Sequence, residues 1–490
     1  MNEVTRSLQA TRRLLSVGAA ALILSACGLK TAPDREALQQ ENLPNLKVPA
    51  AWVESSATGA VQDNWIATLG DPQLSVLVIE AITYNADLRL AVARVEEAAA
   101  NVKAAGAQLY PSVNLLAKTG GKVGGDGSGV GGVIVPASWE IDLWGRVRYG
   151  RVAAEDQYAS AEADVAAAAQ SIAALVAKSW FLAIQARQQR DLAADMVASS
   201  RELLRIAQQR QSIGPGSAVE VAQASASLQE LLDTVRQLDL ALAQSSRSLE
   251  LLLGRYPAAE IKSPSVFAVL PPTPAAGIPS ELLERRPDIV AAQRRVDAAF
   301  NLVGQAEAAR LPKLSLTAAL TSITSDTFVL QNRDNPQLGL GATLFASIFD
   351  AGGLQAQADA RKAQQKQAAA MWAQTGLKAF GEVENALATE VTLRDREPLL
   401  SEAVHQNDNA LALEKTRYRV GSTDMRSVLQ QQMAVYSSRS GLLRVQADQR
   451  VNRVSLYVAL GGGFGADTDI LTGTDVAESP PLSVALAVSE

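Results

Sequence analysis

The chain is poor in the side chains that carry most enzymatic and metal chemistry. Its 490 residues include one histidine and one cysteine, and aromatic residues make up only 4%. So little histidine and cysteine leaves almost no material for a metal centre or a histidine-based active site. The sequence also lacks a nucleophile elbow, a phosphate-binding loop and a metal-ligand cluster. We therefore predict that the protein is not an enzyme and holds no cofactor and no metal.

An excess of basic residues is also missing. The chain has 45 Lys and Arg against 51 Asp and Glu, a formal net charge of −6. Because nucleic-acid binding depends on clustered cations that neutralise phosphates, we expect no nucleic-acid partner. Ala, Gln and Leu are abundant instead, and 48% of the residues are apolar. This composition predicts long helices with a buried core.

The N-terminus has the pattern of a signal peptide, which we place at residues 1–26. A basic start precedes an apolar stretch at 14–24, which is too short to span a bilayer. It ends in Ser25-Ala26-Cys27, small residues before the cysteine as in a bacterial lipobox. Cys27 would then be acylated and become the first mature residue. In bacterial lipoproteins, Asp after the cysteine resembles a signal for retention in the inner membrane. Because Gly28 stands there instead, we expect the anchor to lie in the outer membrane. The alternative is ordinary cleavage before a chance cysteine.

The rest of the chain contains an internal repeat. Asp87 and Pro111 lie 24 residues apart, and so do their counterparts, 201 residues later (288 − 87 and 312 − 111). Three glycines, Gly145, Gly214 and Gly254, recur 207 residues later as Gly352, Gly421 and Gly461. The six-residue difference falls between the proline and the first glycine. Two copies do not make a solenoid, so we interpret the pattern as a duplicated structural unit.

The repeat organises the whole chain. We predict a lipidated N-terminal arm at 27–70, a first repeat at 71–254, a linker at 255–277, a second repeat at 278–464 and a disordered tail at 465–490. The arm is expected to be extended. Each repeat should contain helices, a β-hairpin with a long loop and a long helical hairpin.

Long helical patterns follow each predicted β-hairpin. Residues 147–212 contain no proline, and residues 354–419 contain Pro398 alone. At about 1.5 Å per residue, each run would extend roughly 100 Å. Pro398 is expected to break or kink the second run.

Each run ends in the pattern Arg-x-x-x-Gly. Gly214 and Gly421 there allow the left-handed conformation that turns the chain back. We expect Ser217 to begin the first return helix, and Ser422 or Thr423 the second.

The β-hairpins supply four strands per chain, which are too few to close a barrel. An open sheet in a bilayer would leave backbone groups unpaired, so its edges must be satisfied by other chains. Two chains would supply eight strands and three would supply twelve, and twelve could leave a lumen. The alternative is a lipid-anchored periplasmic coiled-coil scaffold without channel activity.

Five segments resemble motifs of a known family. They are SWEIDLWGRVR at 138–148, IPSELLERRPDI at 278–289, AFGEVENAL at 379–387, RYRVG at 417–421 and YVALGGG at 457–463. Together they are similar to the outer-membrane efflux proteins of the TolC/OprM type. With the lipobox, the resemblance is to the lipoprotein subgroup that serves resistance-nodulation-division (RND) pumps.

This resemblance implies a mainly α fold with a small β portion. Long α-helical hairpins would form a periplasmic α-barrel, and two β-hairpins per chain would contribute to a trimeric 12-stranded outer-membrane β-barrel. The homotrimer would be a passive exit duct in a tripartite efflux system. A periplasmic adaptor (membrane fusion) protein would dock near the helical tips, and an inner-membrane pump would supply the energy. The sequence does not identify the exported substrate, the adaptor or the pump.

The resemblance also implies a constriction near the second glycine turn. Relatives often carry Leu-Asp-Ala-Gln-Arg shortly after that glycine, whereas this chain has LQQQM at 429–433, without either charged residue. We therefore expect the gate to use Tyr418, Asp424, Arg426 and Gln430 instead.

Five residues are expected at the junction between barrel and helices: Trp139, Trp144, Gly145, Phe349 and Gly352. The two tryptophans would either form an interfacial belt or pack at the junction, and packing is favoured.

The motif around Pro287 is expected to have a structural role. Pro287 should begin a helix, with Asp288 near the positive end of its dipole.

Overall fold

The structure is a computed structural model that describes residues 29–54, 59, 61–118, 130–325 and 337–464. Cys27, the predicted signal peptide and the predicted tail lie outside these ranges. The chain divides into two compact units. Among the described residues, the sheet unit comprises 29–46, 93–118, 130–163, 289–325 and 337–375, and the helical unit comprises 47–54, 59, 61–92, 164–288 and 376–464.

The fold is mainly α-helical with one small antiparallel sheet, as the sequence predicts. The elements, in chain order, are α1 (Arg35–Asn42), α2 (Trp65–Thr68), α3 (Pro72–Tyr84), α4 (Ala86–Ala107), β1 (Ser112–Val113), β2 (Leu116–Lys118), β3 (Val130–Ile141), α5 (Arg146–Ser212), α6 (Ala218–Leu252), a 3₁₀ turn (Pro279–Glu281), α7 (Leu282–Arg285), α8 (Pro287–Ala308), β4 (Lys313–Ser325), β5 (Gln337–Phe345), α9 (Gly353–Arg419) and α10 (Met425–Ala459).

The N-terminal arm is extended only in part, because it contains α1 and α2. Asp34 caps α1 by accepting a hydrogen bond from the backbone N–H of Ala37 at 2.8 Å. Leu38 in α1 and Trp65 in α2 are buried. Helix α1 therefore combines a capping side chain with a buried leucine, whereas α2 has no side-chain cap and begins with the buried Trp65.

The sheet contains both predicted hairpins. Its order is β1–β3–β4–β5, with β2 also paired to β3, so the hairpins adjoin through β3 and β4. The first strand differs from the prediction, because it is divided into β1 and β2. Between them, the N–H of Asn114 still donates to the oxygen of Pro136 at 2.9 Å.

The long helices confirm the pattern of the repeat. Helices α5 and α9 each contain 67 residues, and their return helices α6 and α10 each contain 35. Gly214 and Gly421 have φ values of 103° and 78°, the left-handed conformation predicted for the turns. Helix α5 has a stretch apolar enough to cross a bilayer, but 56% of that stretch is buried inside the protein.

The break predicted at Pro398 does not occur, since α9 is one helix through this residue, and the alternative, a kink, stays a prediction. Helix α10 holds the chain just before the proline. Gln449 donates to the carbonyl oxygen of Leu393 at 3.3 Å and to the carboxylate of Glu397 at 3.0 Å. Gln446 donates to the same carboxylate at 3.1 Å. These contacts fix the turn whose hydrogen bonding the proline weakens.

The predicted linker at 255–277 contains no helix or strand, yet side chains of the helices fix its backbone. The Glu250 carboxylate accepts hydrogen bonds from the N–H groups of Ala259 and Glu260 at 2.7 and 2.6 Å. Arg450 donates to the oxygen of Ala268 at 2.7 Å. Arg453 donates to the oxygen of Pro271 at 2.6 Å. The linker is therefore anchored to α6 and α10.

Candidate functional site

The three long strands have one apolar and one polar face. Cross-strand register places the following residues on one face, named here the apolar face: Val133, Val135, Ala137, Trp139, Ile141, Leu314, Leu316, Ala318, Leu320, Leu338, Leu340, Ala342 and Leu344, with Ser322 as its polar member. The opposite, polar face carries Ser138, Glu140, Ser315, Thr317, Thr321, Gln337, Gly339, Gly341 and Thr343, with Ile134, Pro136, Ala319 and Phe345 as its apolar members. The alternation has the period of two expected for a strand.

This alternation is typical of transmembrane strands. Strands β3, β4 and β5 contain 12, 13 and 9 residues, about the length that crosses a bilayer. Leucines of the apolar face are strongly exposed, with Leu340 79% and Leu338 69% accessible. Such a patch would be unfavourable in water but suits lipid, whereas the polar face suits an aqueous lumen.

Both edges of the sheet have unused backbone groups. Among the described strands, β5 pairs with β4 alone, and β1 and β2 pair with β3 alone. In a bilayer, unpaired backbone N–H and C=O groups are very unfavourable, and only barrel closure removes them. A single chain therefore presents an incomplete barrel wall.

The two junction tryptophans combine packing with partial exposure. The indole N–H of Trp139 donates to the oxygen of Leu109 at 2.9 Å, and that of Trp144 donates to the oxygen of Pro312 at 2.8 Å. The side chains remain 37% and 40% exposed. The two hydrogen bonds are compatible with packing at the junction, which stays a prediction, and the exposure leaves the rings available to a membrane interface.

The other predicted junction residues behave differently from one another. Gly145 has a φ of 77°, and a Cβ there would lie 2.7 Å from Leu29 Cδ2. Gly352 has a φ of 84° with open space around it. Phe349 is 89% exposed. The glycines therefore allow tight turns into the long helices, whereas Phe349 has no packing role within the single chain.

Tyr418 lies in the core near the tips, between the two helical hairpins. Its side chain is fully buried. The Arg210 guanidinium lies 4.6 Å from the centre of its ring and donates a hydrogen bond to its main-chain oxygen. The Tyr418 hydroxyl donates to the Glu220 carboxylate at 3.4 Å. Tyr418 thus connects α9 to both α5 and α6.

Asp424 begins the second return helix, so the prediction of Ser422 or Thr423 is wrong. Its carboxylate accepts hydrogen bonds from the N–H and hydroxyl of Ser427 at 2.9 and 2.8 Å. These bonds lower its pKa below the ordinary value. Ser217, which caps α6, lies 207 residues earlier (424 − 217). The glycine offset, applied to Ser217, would have identified Asp424.

The four predicted gate residues form two groups in the structure. Asp424, Arg426 and Gln430 are exposed at the start of α10, whereas Tyr418 is buried. The sequence does not predict that Arg210 and Glu220 contact Tyr418. The Arg-x-x-x-Gly pattern marked Arg210 but did not indicate which side chain it contacts.

Apolar side chains are also exposed at the turns of the hairpins. Ile213 and Val219 flank the first turn and are 71% and 63% exposed. Val420 lies beside Gly421 in the second turn and is 76% exposed. The tips therefore present apolar contact area to solvent.

The described residues contain no group of three or more His, Cys, Asp or Glu side chains suited to a metal ion. His405 is exposed on α9, and its ring lies 3.1 Å from the Asn409 amide nitrogen.

Comparison with known proteins connects these features to a family. Residues 77–255 and 278–462 match the family described as "Outer membrane efflux protein". The chain is 30% identical over 482 residues to the pyoverdine export outer membrane protein OpmQ of Pseudomonas aeruginosa, covering 94% of this chain and 99% of that protein. It is 28% identical over 452 residues to the cation efflux system protein CusC of Escherichia coli, covering 91% and 97%.

A solved structure shows the same fold. The outer-membrane channel OprN superposes with a TM-score of 0.77 at 25% identity, covering 86% of this chain and 99% of that one. The match extends through both repeats, and the two-faced sheet supplies the strands of an outer-membrane channel. The chain therefore belongs to the outer membrane efflux protein family, and it is an outer-membrane channel component of an efflux system.

Proposed function

We propose that this protein acts as a homotrimer whose three chains form one continuous exit duct. Each chain supplies four strand positions, so three chains supply twelve, enough to leave a lumen. The free edge of β5 in one chain would pair with β1 and β2 of the next. The observation that carries this proposal is a two-faced sheet with both edges unpaired among the described strands.

The duct would be passive and would catalyse no reaction. An inner-membrane pump would supply the energy, and a periplasmic adaptor would connect the two. The exposed Ile213, Val219 and Val420 support docking of the adaptor at the tips. Apolar residues exposed at the end of a hairpin are suited to a protein partner.

The gate is proposed to involve the exposed residues of α10 rather than all four residues that the sequence suggested. Asp424, Arg426 and Gln430 are accessible at the tip, where three chains would converge. Tyr418 would act indirectly, because its buried ring fixes α9 against the first hairpin. We assign it a positioning role.

Anchoring is proposed to come from acyl chains on Cys27. Gly28 follows the cysteine, and the small residues before it fit lipobox cleavage. Several acyl chains on one residue would give stable membrane attachment, which a single chain does not.

Selection of the substrate is assigned to the pump. Relatives of similar identity are named for pyoverdine export and for cation efflux, so likeness between the channels does not select one substrate. A passive duct would pass whatever the pump delivers.

The proposal is tested by purifying the full-length protein from outer membranes in mild detergent. Cross-linking should give a trimer that resists mild detergent, and planar bilayers should show discrete conductance steps. A lipid-anchored coiled-coil scaffold would give neither a resistant trimer nor a conductance. Deleting the genes that encode its adaptor and pump should abolish export in cells without changing the conductance of the purified channel.

A further inference from the structure

The apolar face has a depression near the end of the sheet that adjoins the long helices. Its volume is about 430 Å³. Among its lining residues, Ala137 and Ala318 are register partners with small side chains, and Trp139, Leu316 and Leu340 are large. Pro111 and the neighbouring strand residues Ser138, Thr317 and Gly341 complete the lining. Small residues flanked by large ones leave an apolar channel that other side chains of the chain do not fill. Its shape and lining suit a hydrocarbon chain.

The first described residues of the chain are fixed beside this end of the sheet. Leu29 packs against Gly145, four residues beyond the end of β3 (145 − 141). The N–H of Lys30 donates to the hydroxyl of Tyr149 at 2.9 Å. Arg35 donates to the side-chain oxygen of Gln293 at 3.2 Å. These contacts all lie within the sheet unit, so they fix where the preceding residues must start.

Chain length therefore limits how far Cys27 can lie from Leu29. It precedes Leu29 by two residues, and two residues of extended chain reach at most about 7 Å. An acyl chain that extends to the middle of the bilayer is about 15 Å long, half of a hydrocarbon core of about 30 Å. From the junction, such a chain reaches Trp139, which lies two residues before the end of β3 (141 − 139).

We propose that one acyl chain carried by Cys27 occupies the depression between Trp139, Leu316 and Leu340. The inference rests on the proposed acylation of Cys27. The depression lies toward the helical, periplasmic end of the strands, at the depth of the inner leaflet where acyl chains of a periplasmic anchor insert. The anchor thereby becomes part of the barrel surface. A phospholipid acyl chain is the competing occupant, and the experiment distinguishes the two.

The test uses cells that express the full-length protein and are fed a palmitic acid analogue with a diazirine in mid-chain. The analogue enters both the lipoprotein and the phospholipids. After irradiation of isolated outer membranes, the trimer is purified and digested, and mass spectrometry identifies the adducts. We expect a peptide containing residues 137–139, 316–318 or 340 to be joined to the Cys27 peptide. Two results would overturn the proposal. In the first, the peptides that line the depression are joined only to phospholipid. In the second, the acyl chain on Cys27 is joined only to phospholipid.

Two matched variants sharpen the test. Ala318→Leu enlarges a small side chain that lines the depression, whereas Ala319→Leu adds the same side chain one residue along on the polar face. The first should reduce the internal adduct at least tenfold, and the second should leave it near the wild-type level. Equal adduct yields would contradict the proposal, and the wild-type result stands if either variant fails to assemble. Intact mass shows separately whether Cys27 is acylated, and an unacylated Cys27 would end this inference without affecting channel function.

Discussion

Arg286 holds the end of α10 through a hydrogen bond from its guanidinium to the main-chain oxygen of Ala459, at 3.3 Å. In the other repeat, Asn85 donates to the main-chain oxygen of Leu252 at 2.9 Å. The two donors lie 201 residues apart (286 − 85), and the two acceptors lie 207 apart (459 − 252). The offsets of the sequence repeat therefore recur in a contact that both repeats share. In each repeat, a residue between two earlier helices holds the last residue of the return helix.

Replacing Arg286 by Ala should destabilise the protein strongly. The side chain is buried and also pairs with Asp288 and Glu382 at 2.8 and 2.7 Å. The two carboxylates are 39% and 38% exposed, so solvent screens them once the guanidinium is removed, and the expected loss is about 1–3 kcal/mol. Arg285→Ala is the control, because Arg285 is more exposed and reaches Asp63 only at 3.5 Å. Thermal unfolding of the detergent-solubilised protein should show a large loss of stability for the first variant and a small one for the second.

Replacing Pro398 by Ala should stabilise the protein, because the chain is already helical there and alanine restores the missing N–H. The expected gain is about 1–3 kcal/mol. Gln449→Ala should be more harmful in the wild type than in the Pro398→Ala background, since its bonds to Leu393 and Glu397 support the weakened turn. A double-mutant cycle of unfolding free energies measures this coupling. Strict additivity would show that Gln449 does not compensate for the proline.

Replacing Asp297 by Asn should stabilise the protein at neutral pH. Burial and, to a smaller extent, the Asp156 carboxylate raise the pKa of Asp297 from 3.8 to about 6, against the lowering effect of Arg294. The folded state therefore holds this proton more tightly than the unfolded chain and loses stability as pH rises from about 4 to 6. The variant should exceed the wild type by about 1–2 kcal/mol above that window and match it near pH 4. Melting temperatures measured across this range give the test, and an advantage independent of pH would contradict it.

Charge removal at the start of α10 should loosen the proposed gate. Asp424→Ser keeps a helix-capping side chain, as Ser217 does in the first repeat, but removes the charge. Combined with Arg426→Ala, it should raise single-channel conductance above the wild type. Tyr418→Phe is the comparison, since it keeps the buried ring and should leave conductance unchanged. The assignment fails if only Tyr418→Phe opens the channel.

Spacing alone was enough to predict the long helices and the turns at Gly214 and Gly421. Helical length and left-handed turns are local properties, and an exact offset between copies reveals them without knowledge of the fold. The resemblance added the trimeric barrel, which depends on contacts between chains that no single sequence pattern encodes.

Tertiary contacts explain what the sequence missed. The sequence predicts a break or kink at Pro398 because proline disfavours a helix. Gln449, whose hydrogen bonds support the turn before the proline, lies far along the chain and gives no local signal. Tyr418 looked accessible because its motif lies next to an exposed turn, yet Arg210 and Glu220 enclose it. Whether a side chain is buried depends on which helices pack against each other. Sequence periodicity does not reveal these contacts for a motif at the end of a helix.

Neighbouring residues on β4 have opposite orientations, one toward the lumen and the next toward lipid, and cysteine accessibility measures this orientation. Thr317→Cys would place a thiol on the polar face and Leu316→Cys one on the apolar face. In planar bilayers, a charged, membrane-impermeant thiol reagent should reduce the current through the Thr317→Cys channel and leave the Leu316→Cys and wild-type channels unchanged. Modification of the Leu316 variant with no effect on the Thr317 variant would contradict the assignment of the polar face to the lumen.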